Sequence, residues 1–169
     1  MKIKYFSLLL LLNVFGCNAS ANPVKTELLY SGHVFSVPQK PTLVASIGGD
    51  DNILVLRYGA KKGKKYIAFS DVKNDESQSF GCEASVFFAA IFTASSGDSC
   101  NSDELTAFKD VFVNGHDVGE WAGYKLKVYF SIGSDQSFLF AFDANGKMIK
   151  IDTDFLAKTE LKDVVSNAL

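Results

Sequence analysis

The stretch Tyr124–Ile151, YKLKVYFSIGSDQSFLFAFDANGKMIKI, decides the fold. From Tyr124 to Ile132, Leu126, Val128 and Phe130 alternate with Lys125, Lys127 and Tyr129. That is the two-residue period of a strand with one buried face. Gly133-Ser134-Asp135 marks a turn. Phe138, Phe140 and Phe142 then share one face while Leu139 and Ala141 share the other, which predicts a central strand covered on both sides. Asp143-Ala144-Asn145-Gly146 reads as a hairpin turn in which Asn-Gly takes positive φ at both central positions. Met148, Ile149 and Ile151 form the returning strand. Short turns between alternating strands make an antiparallel meander.

Working outward from this meander, Asn101–Val113 reads as an amphipathic helix, with Leu105, Phe108 and Phe112 on one face and Asn114-Gly115 as its stop. Asn101 is the expected cap, with Glu104 as its capping-box partner. The segment Glu83–Thr93 (EASVFFAAIFT) carries enough Phe for a buried strand, but Ala84, Phe88 and Ile91 fall at helical spacing, and it is read as a helix. Asp71–Ser79 is a polar loop. Asn52–Tyr58 and Tyr66–Ser70 form a hairpin around Gly59 to Lys65, and Leu43–Ile47 is a further strand. Glu27–Tyr30 and His33–Val37 flank a Ser31-Gly32 turn, after which Pro38 and Pro41 bar regular pairing. Phe155–Leu169 ends in a short helix with Leu161, Val164 and Val165 facing inward and Thr159 as cap.

The expected architecture is α+β: an antiparallel sheet of about five to seven strands, a central helical insertion over about 83–113, and a short C-terminal helix. Residues 22–169 form a single globular domain. No alternating βαβ pattern with glycine-rich phosphate loops occurs, which excludes a nucleotide-binding α/β fold.

The first residues have the order of an export signal. Lys2 and Lys4 precede the apolar run Phe6–Gly16, with leucine at every position from Leu8 to Leu12, and Ala19-Ser20-Ala21 follows. Residues 1–21 are read as a signal peptide cleaved before Asn22, because the run is too short for about 30 Å of hydrocarbon. Val14-Phe15-Gly16-Cys17 resembles the lipobox of bacterial lipoproteins. Gly16 and Cys17 fit and Phe15 departs from it. That resemblance implies a signal of residues 1–16 and a lipidated Cys17 that would tie the chain to a membrane surface. Both routes lead to an exported, periplasmic or otherwise envelope-located protein, in the second case a membrane-anchored lipoprotein.

Composition narrows the function. Of 169 residues, 47% are hydrophobic, ample for a core. There are 17 basic and 19 acidic residues; loss of Lys2 and Lys4 with the signal leaves 15 basic residues and a net charge of -4. No basic surplus remains for a dedicated nucleic-acid binder. Three cysteines and two histidines are too few for a multi-ligand zinc module, and no cofactor is expected. Cys82 and Cys100, an even pair in an oxidising compartment, predict a disulfide stabilising by about 3 kcal/mol.

Chemical constellations are sparse. Gly97-Asp98-Ser99 resembles the G-D-S of the GDSL hydrolases, whose serine is the nucleophile, and here only His33 or His116 could serve as base. That family places the motif near the mature N-terminus and a D-x-x-H block near the C-terminus; His116 is instead followed by Asp117. Asp50-Asp51-Asn52 and the set Asp98, Asn101 and Asp103 are oxygen-rich, but turn and cap roles account for them. Lys61, Lys62, Lys64 and Lys65 form a solvated hairpin tip. The stretch Asn114–Gly123 reads as a glycine-rich loop holding Trp121 near His116, Asp117 and Glu120. It is the candidate binding loop, because aromatic residues dominate interface hot spots; the alternative is a Trp folded over the sheet edge.

The expectation is an exported envelope binding protein without catalytic activity, an inhibitor or immunity-type protein whose partner is another protein, such as a basic enzyme or toxin. The alternatives are a GDS-type serine hydrolase using Ser99 and His116, or a structural or assembly lipoprotein anchored through Cys17.

Overall fold

A computed structural model describes residues 25–49, 52–72 and 80–169. The proposed signal, Cys17, Asp50, Asp51 and most of the 71–79 loop lie outside the described residues.

The chain opens with a hairpin of β1 (Lys25–Tyr30) and β2 (His33–Pro38). Ser31 and Gly32 both take positive φ (52° and 83°), the primed turn whose twist matches that of the strands. Pro38 still pairs with Lys25, at the end of the ladder where its missing N–H costs least.

Three strands follow as a meander: β3 (Leu43–Ile47), β4 (Ile53–Arg57) and β5 (Tyr66–Val72). Two helices, α1 (Ala84–Phe92) and α2 (Ser102–Phe112), carry the chain to the opposite edge of the sheet. There β6 (Asp117–Ala122), β7 (Leu126–Ile132), β8 (Ser137–Asp143) and β9 (Met148–Thr153) return step by step until β9 pairs with β5. The result is one seven-stranded antiparallel sheet, β3-β4-β5-β9-β8-β7-β6, beside the separate two-stranded β1–β2 sheet. Helix α3 (Lys158–Val165) closes the chain. The α+β architecture read from the sequence is the one observed.

Each face of the large sheet has its own core. On one face, the β1–β2 hairpin and α3 bury Phe35, Phe69, Leu139, Ile151 and Leu161. On the other, α1 and α2 bury Phe87, Phe88, Phe92, Phe140 and Phe142, with Phe108 and Phe112 packed alongside. Helix α1 is apolar almost all round because it lies between the sheet and α2, and this resolves the strand-like Phe content of 83–93.

The entrance to α2 is held in three ways. Cys82 and Cys100 are bonded with their Cα atoms 4.8 Å apart. The Asn101 N–H donates to the Phe80 carbonyl at 2.7 Å. The Asn101 side chain accepts from the Asp103 and Glu104 amides at 3.0 and 3.3 Å. Gly81, at φ 71°, is needed there because a Cβ would sit 3.0 Å from the Asn101 nitrogen.

Three local expectations are corrected. Glu104 does not complete a capping box, because the Asn101 N–H donates to the Phe80 carbonyl instead. At the β8–β9 turn only Gly146 takes positive φ (77°), while Asn145 stays at negative φ. Asp143 explains this: its carboxylate accepts from the Asn145 and Lys147 amides at 2.8 and 2.9 Å and widens the turn beyond the two-residue form. Thr159 lies inside α3 and does not cap it; Ala157 occupies the cap position, and Glu160 reaches back to accept from its N–H at 2.8 Å.

Candidate functional site

Asn114–Gly123 is not a loop. Its central residues form β6, the outermost strand beside β7. Its glycines suggested a loop, but Gly119 has a packing role: the Phe130 ring fills the space across the ladder, and a Cβ on Gly119 would lie 2.8 Å from Phe130 Cζ. Trp121 stacks on the same ring at 4.5 Å and is half-buried against the α3-side core. It folds over the sheet edge and does not project as an anchor. Asp117 and Glu120 stay on the surface, paired with Lys158 at 2.8 Å and Lys127 at 3.0 Å. Interaction with Tyr129, and then with Glu120, holds Lys127 above the usual lysine range. Lys158 also covers the Phe130 ring at 4.4 Å.

Ser99 and His116 are not brought together. Ser99 is exposed in the turn before α2, and His116 follows the end of that helix. Eleven helical residues separate these positions by about 16 Å, far beyond the ~3 Å that a nucleophile and its base require. The His116 Nδ1 meets the Asn114 carbonyl at 3.1 Å, and its ring lies against Gly133. Asn101 spends its side chain on the α2 cap. Among the described residues, no cluster of three or more His, Cys, Asp or Glu side chains assembles that could hold a metal ion.

A cleft of about 520 Å³ lies between β2 and α3, over Pro38, Leu156 and Val164. Its polar groups already satisfy one another. Lys25 pairs with Asp163 at 2.7 Å, Glu160 is bound to the Ala157 amide, and Ser36 accepts from Asn167 at 3.0 Å.

The feature that the sequence reading did not isolate is the α1–α2 side of β3, β4 and β5. Cross-strand register places Leu43, Ala45 and Ile47 beside Arg57, Val55 and Ile53, with Ala68 next to Val55 on β5. Apart from Arg57 these residues are apolar; all share one face, and none belongs to either core. Leu43 and Ile47 are 48% and 58% exposed. The helices reach only to Val72 at the end of β5, and among the described residues nothing packs over the remainder. The boundary is polar: Lys150 pairs with Asp152 at 3.5 Å and sits over the Phe138 ring at 5.3 Å. Beside it the Tyr66 hydroxyl accepts from Gln136 at 2.9 Å, and burial, then Asp152 and Asp154, push that hydroxyl up to about 12. At the far end stand Arg57 and the exposed lysines of the β4–β5 tip. Asp154 anchors that tip by accepting from the Lys65 and Tyr66 amides, each at 3.0 Å.

The sequence does contain a clue to this surface. Ile53-Leu54-Val55-Leu56 is apolar without alternation, as expected of a strand covered on both faces. The covered side is supplied by the β1–β2 hairpin, and the other side has no cover within the described chain.

No protein-family model, curated protein or solved structure matches this chain. The disulfide is compatible with an exported protein, and no described helix is long and apolar enough to cross a membrane.

Proposed function

We propose that this chain is a non-catalytic protein-binding domain of the cell envelope, acting as an inhibitor or immunity-type protein. The observation that carries the reading is the open apolar half-sheet around Val55, a surface on β3, β4 and β5 rimmed by charge. Contiguous exposed apolar surface of this kind marks interaction sites, and a protein partner is the occupant that a nearly flat sheet face suits. A small molecule would need a concave pocket. A mature net charge of -4 steers a basic partner at long range, while affinity comes from burial of the half-sheet. The non-catalytic reading is supported by the placement of Ser99 and His116 beyond opposite ends of α2.

The test is capture from an envelope extract with the wild-type protein and with Val55→Lys. Recovery of one stoichiometric partner by the wild type, its loss with a folded Val55→Lys protein, and loss of the partner's own activity in the complex are the expected results. Absence of a stoichiometric partner, or equal capture by both forms, overturns the reading. So does covalent labelling of Ser99 by a fluorophosphonate.

A further inference from the structure

One end of the molecule concentrates its positive charge. The β4–β5 connection carries Lys61, Lys62, Lys64 and Lys65, all exposed, with Arg57 at its base. Exposed Lys40 stands beside them, just ahead of Thr42, whose N–H donates to the Arg57 carbonyl at 2.6 Å. These six belong to the 15 basic residues of the mature chain, so the remainder carries nine basic residues against 19 acidic ones.

Backbone bonds fix the tip and leave its lysine side chains to solvent. The Tyr58 N–H donates to the Lys65 carbonyl at 2.7 Å, and the Lys64 N–H to the Lys61 carbonyl at 3.2 Å. The Arg57 guanidinium braces the turn by donating to the Gly59 and Ala60 carbonyls at 2.8 and 2.9 Å. Asp154 is committed to the Lys65 and Tyr66 amides and lies 4.0 Å from the Lys64 Nζ. The other described acidic side chains near this end are engaged or distant. Asp117 pairs with Lys158, Asp152 with Lys150 and Asp163 with Lys25, while Glu160 binds the Ala157 amide. Asp135, in the β7–β8 turn, is three strand spacings or about 14 Å from the tip.

The chain enters the domain at this same end. Lys25, the first described residue, pairs with Pro38, whose carbonyl accepts from the Tyr58 hydroxyl at 2.9 Å at the foot of the tip. Gln39 donates to the Lys25 carbonyl at 3.1 Å. The apolar run Phe6–Gly16 is therefore joined to the domain at its basic end. Lipidation of Cys17, eight residues before Lys25, would hold this end within about 27 Å of a bilayer. Cleavage before Asn22 would instead add a positive α-amino group three residues from Lys25.

We infer that this end of the domain rests on an anionic lipid bilayer, with Lys61, Lys62, Lys64 and Lys65 among the headgroup phosphates. Each Lys close to an anionic leaflet strengthens binding about fivefold. The acidic remainder is repelled by the same surface, so the domain docks by this end alone. A soluble polyanion would meet the same lysines, but only a bilayer also accounts for an apolar run attached beside them. The strands then stand upright on the membrane, and the open half-sheet faces sideways into water. This inference is separate from the proposed function, because the bilayer meets one end of the sheet and the partner meets its face.

Co-sedimentation with vesicles tests it, on protein purified from cells expressing the full chain. The readout is the partition coefficient for vesicles of phosphatidylcholine with phosphatidylglycerol, divided by that for phosphatidylcholine alone, so that a lipid on Cys17 cancels. The ratio should be at least about tenfold at low salt and approach one as salt is raised to about 0.5 M. Lys61→Gln, Lys62→Gln and Lys65→Gln together should lower it at least about fivefold, with circular dichroism and unfolding midpoint unchanged. The same loss of charge elsewhere, Lys109→Gln with Lys125→Gln and Lys147→Gln, should leave it within about twofold. A wild-type ratio below about twofold, or equal loss in the two triple variants, overturns the inference. So does binding of a polyglutamate peptide through the tip lysines without preference for the anionic vesicles, which would assign this end to an acidic protein.

Discussion

Strands β4 and β8 belong to one sheet and carry the same message in sequence, yet they meet different surroundings. Both are apolar on both faces. In β8, Leu139 and Ala141 are wholly buried under the hairpin-and-α3 layer, and Phe140 is 3% exposed beneath the helices. In β4, Leu56 is buried and Leu54 half-buried against the hairpin-side core, whereas Ile53 and Val55 on the other side are half-buried and belong to neither core. An apolar pattern therefore records what a strand requires to be covered and not which molecule covers it. Full burial of a large apolar side chain contributes about 1.5–3 kcal/mol, so the open half of β4 holds binding energy that β8 has already used for folding.

The strongest way to break this comparison is to damage the covered face. Phe140 packs against Phe88, Phe92 and Phe112 with centroids 4.7, 5.7 and 5.3 Å away. Phe140→Ala should lower unfolding free energy by about 3–5 kcal/mol, read from the midpoint in chemical denaturation. A loss below about 1 kcal/mol would show that the covered face is no better packed than the open one. The disulfide is next in size. Replacing Cys82 and Cys100 together by Ser opens a loop of 18 residues and should cost about 3 kcal/mol. The loss should be concentrated in the helical layer, so amide exchange should quicken in α1 and α2 before it does in β3 and β4.

The meander that sets the fold was legible because its period is local. Alternation in Leu126–Phe130, the two-faced apolar pattern of Phe138–Phe142 and the cap at Asn101 each depend on residues a few positions apart. The fate of β6 was not legible. Gly119 looks like a loop residue until Phe130, its cross-strand partner, is known to lie over it. Trp121 is settled in the same way by a stack across the ladder. The open half-sheet was hidden for a related reason. Apolar periodicity cannot reveal that α1 and α2, after leaving β5, lie over the opposite half of the sheet. Ser99 and His116 share no local pattern, and only the length of α2 between them excludes their joint action.

Alkaline pH has a smaller effect that both faces share, since burial pushes Tyr66 on the open side up to about 12 as well. Burial pushes Tyr30, with a further contribution from Asp71, and Tyr58 up to about 12. Both pack in or against the hairpin-side core, where the Tyr58 hydroxyl donates to the Pro38 carbonyl at 2.9 Å. The fold favours the neutral phenol, so this stabilisation is complete below pH 10 and is lost as pH rises towards 12. Unfolding free energy measured against pH should fall through that window, and Tyr58→Phe should make the fall shallower. A flat profile up to pH 12 would show that these phenols are as well solvated as those of the unfolded chain.

The smallest expected change in stability is the most informative about β4. Val55→Thr replaces a methyl group by a hydroxyl at nearly constant volume and keeps the β-branched shape that a strand favours. Under a closed layer such a hydroxyl would have no partner, and burying it would cost about 1–3 kcal/mol. On the open half-sheet water reaches it, so the midpoint should move by less than about 0.5 kcal/mol. Partner capture should weaken nonetheless, because the complex would have to desolvate that hydroxyl in the middle of an apolar contact. If Val55→Thr instead destabilises the isolated protein as strongly as a core substitution, then β4 is already covered on both sides. The difference from β8 would then vanish, and with it the surface on which the binding proposal rests.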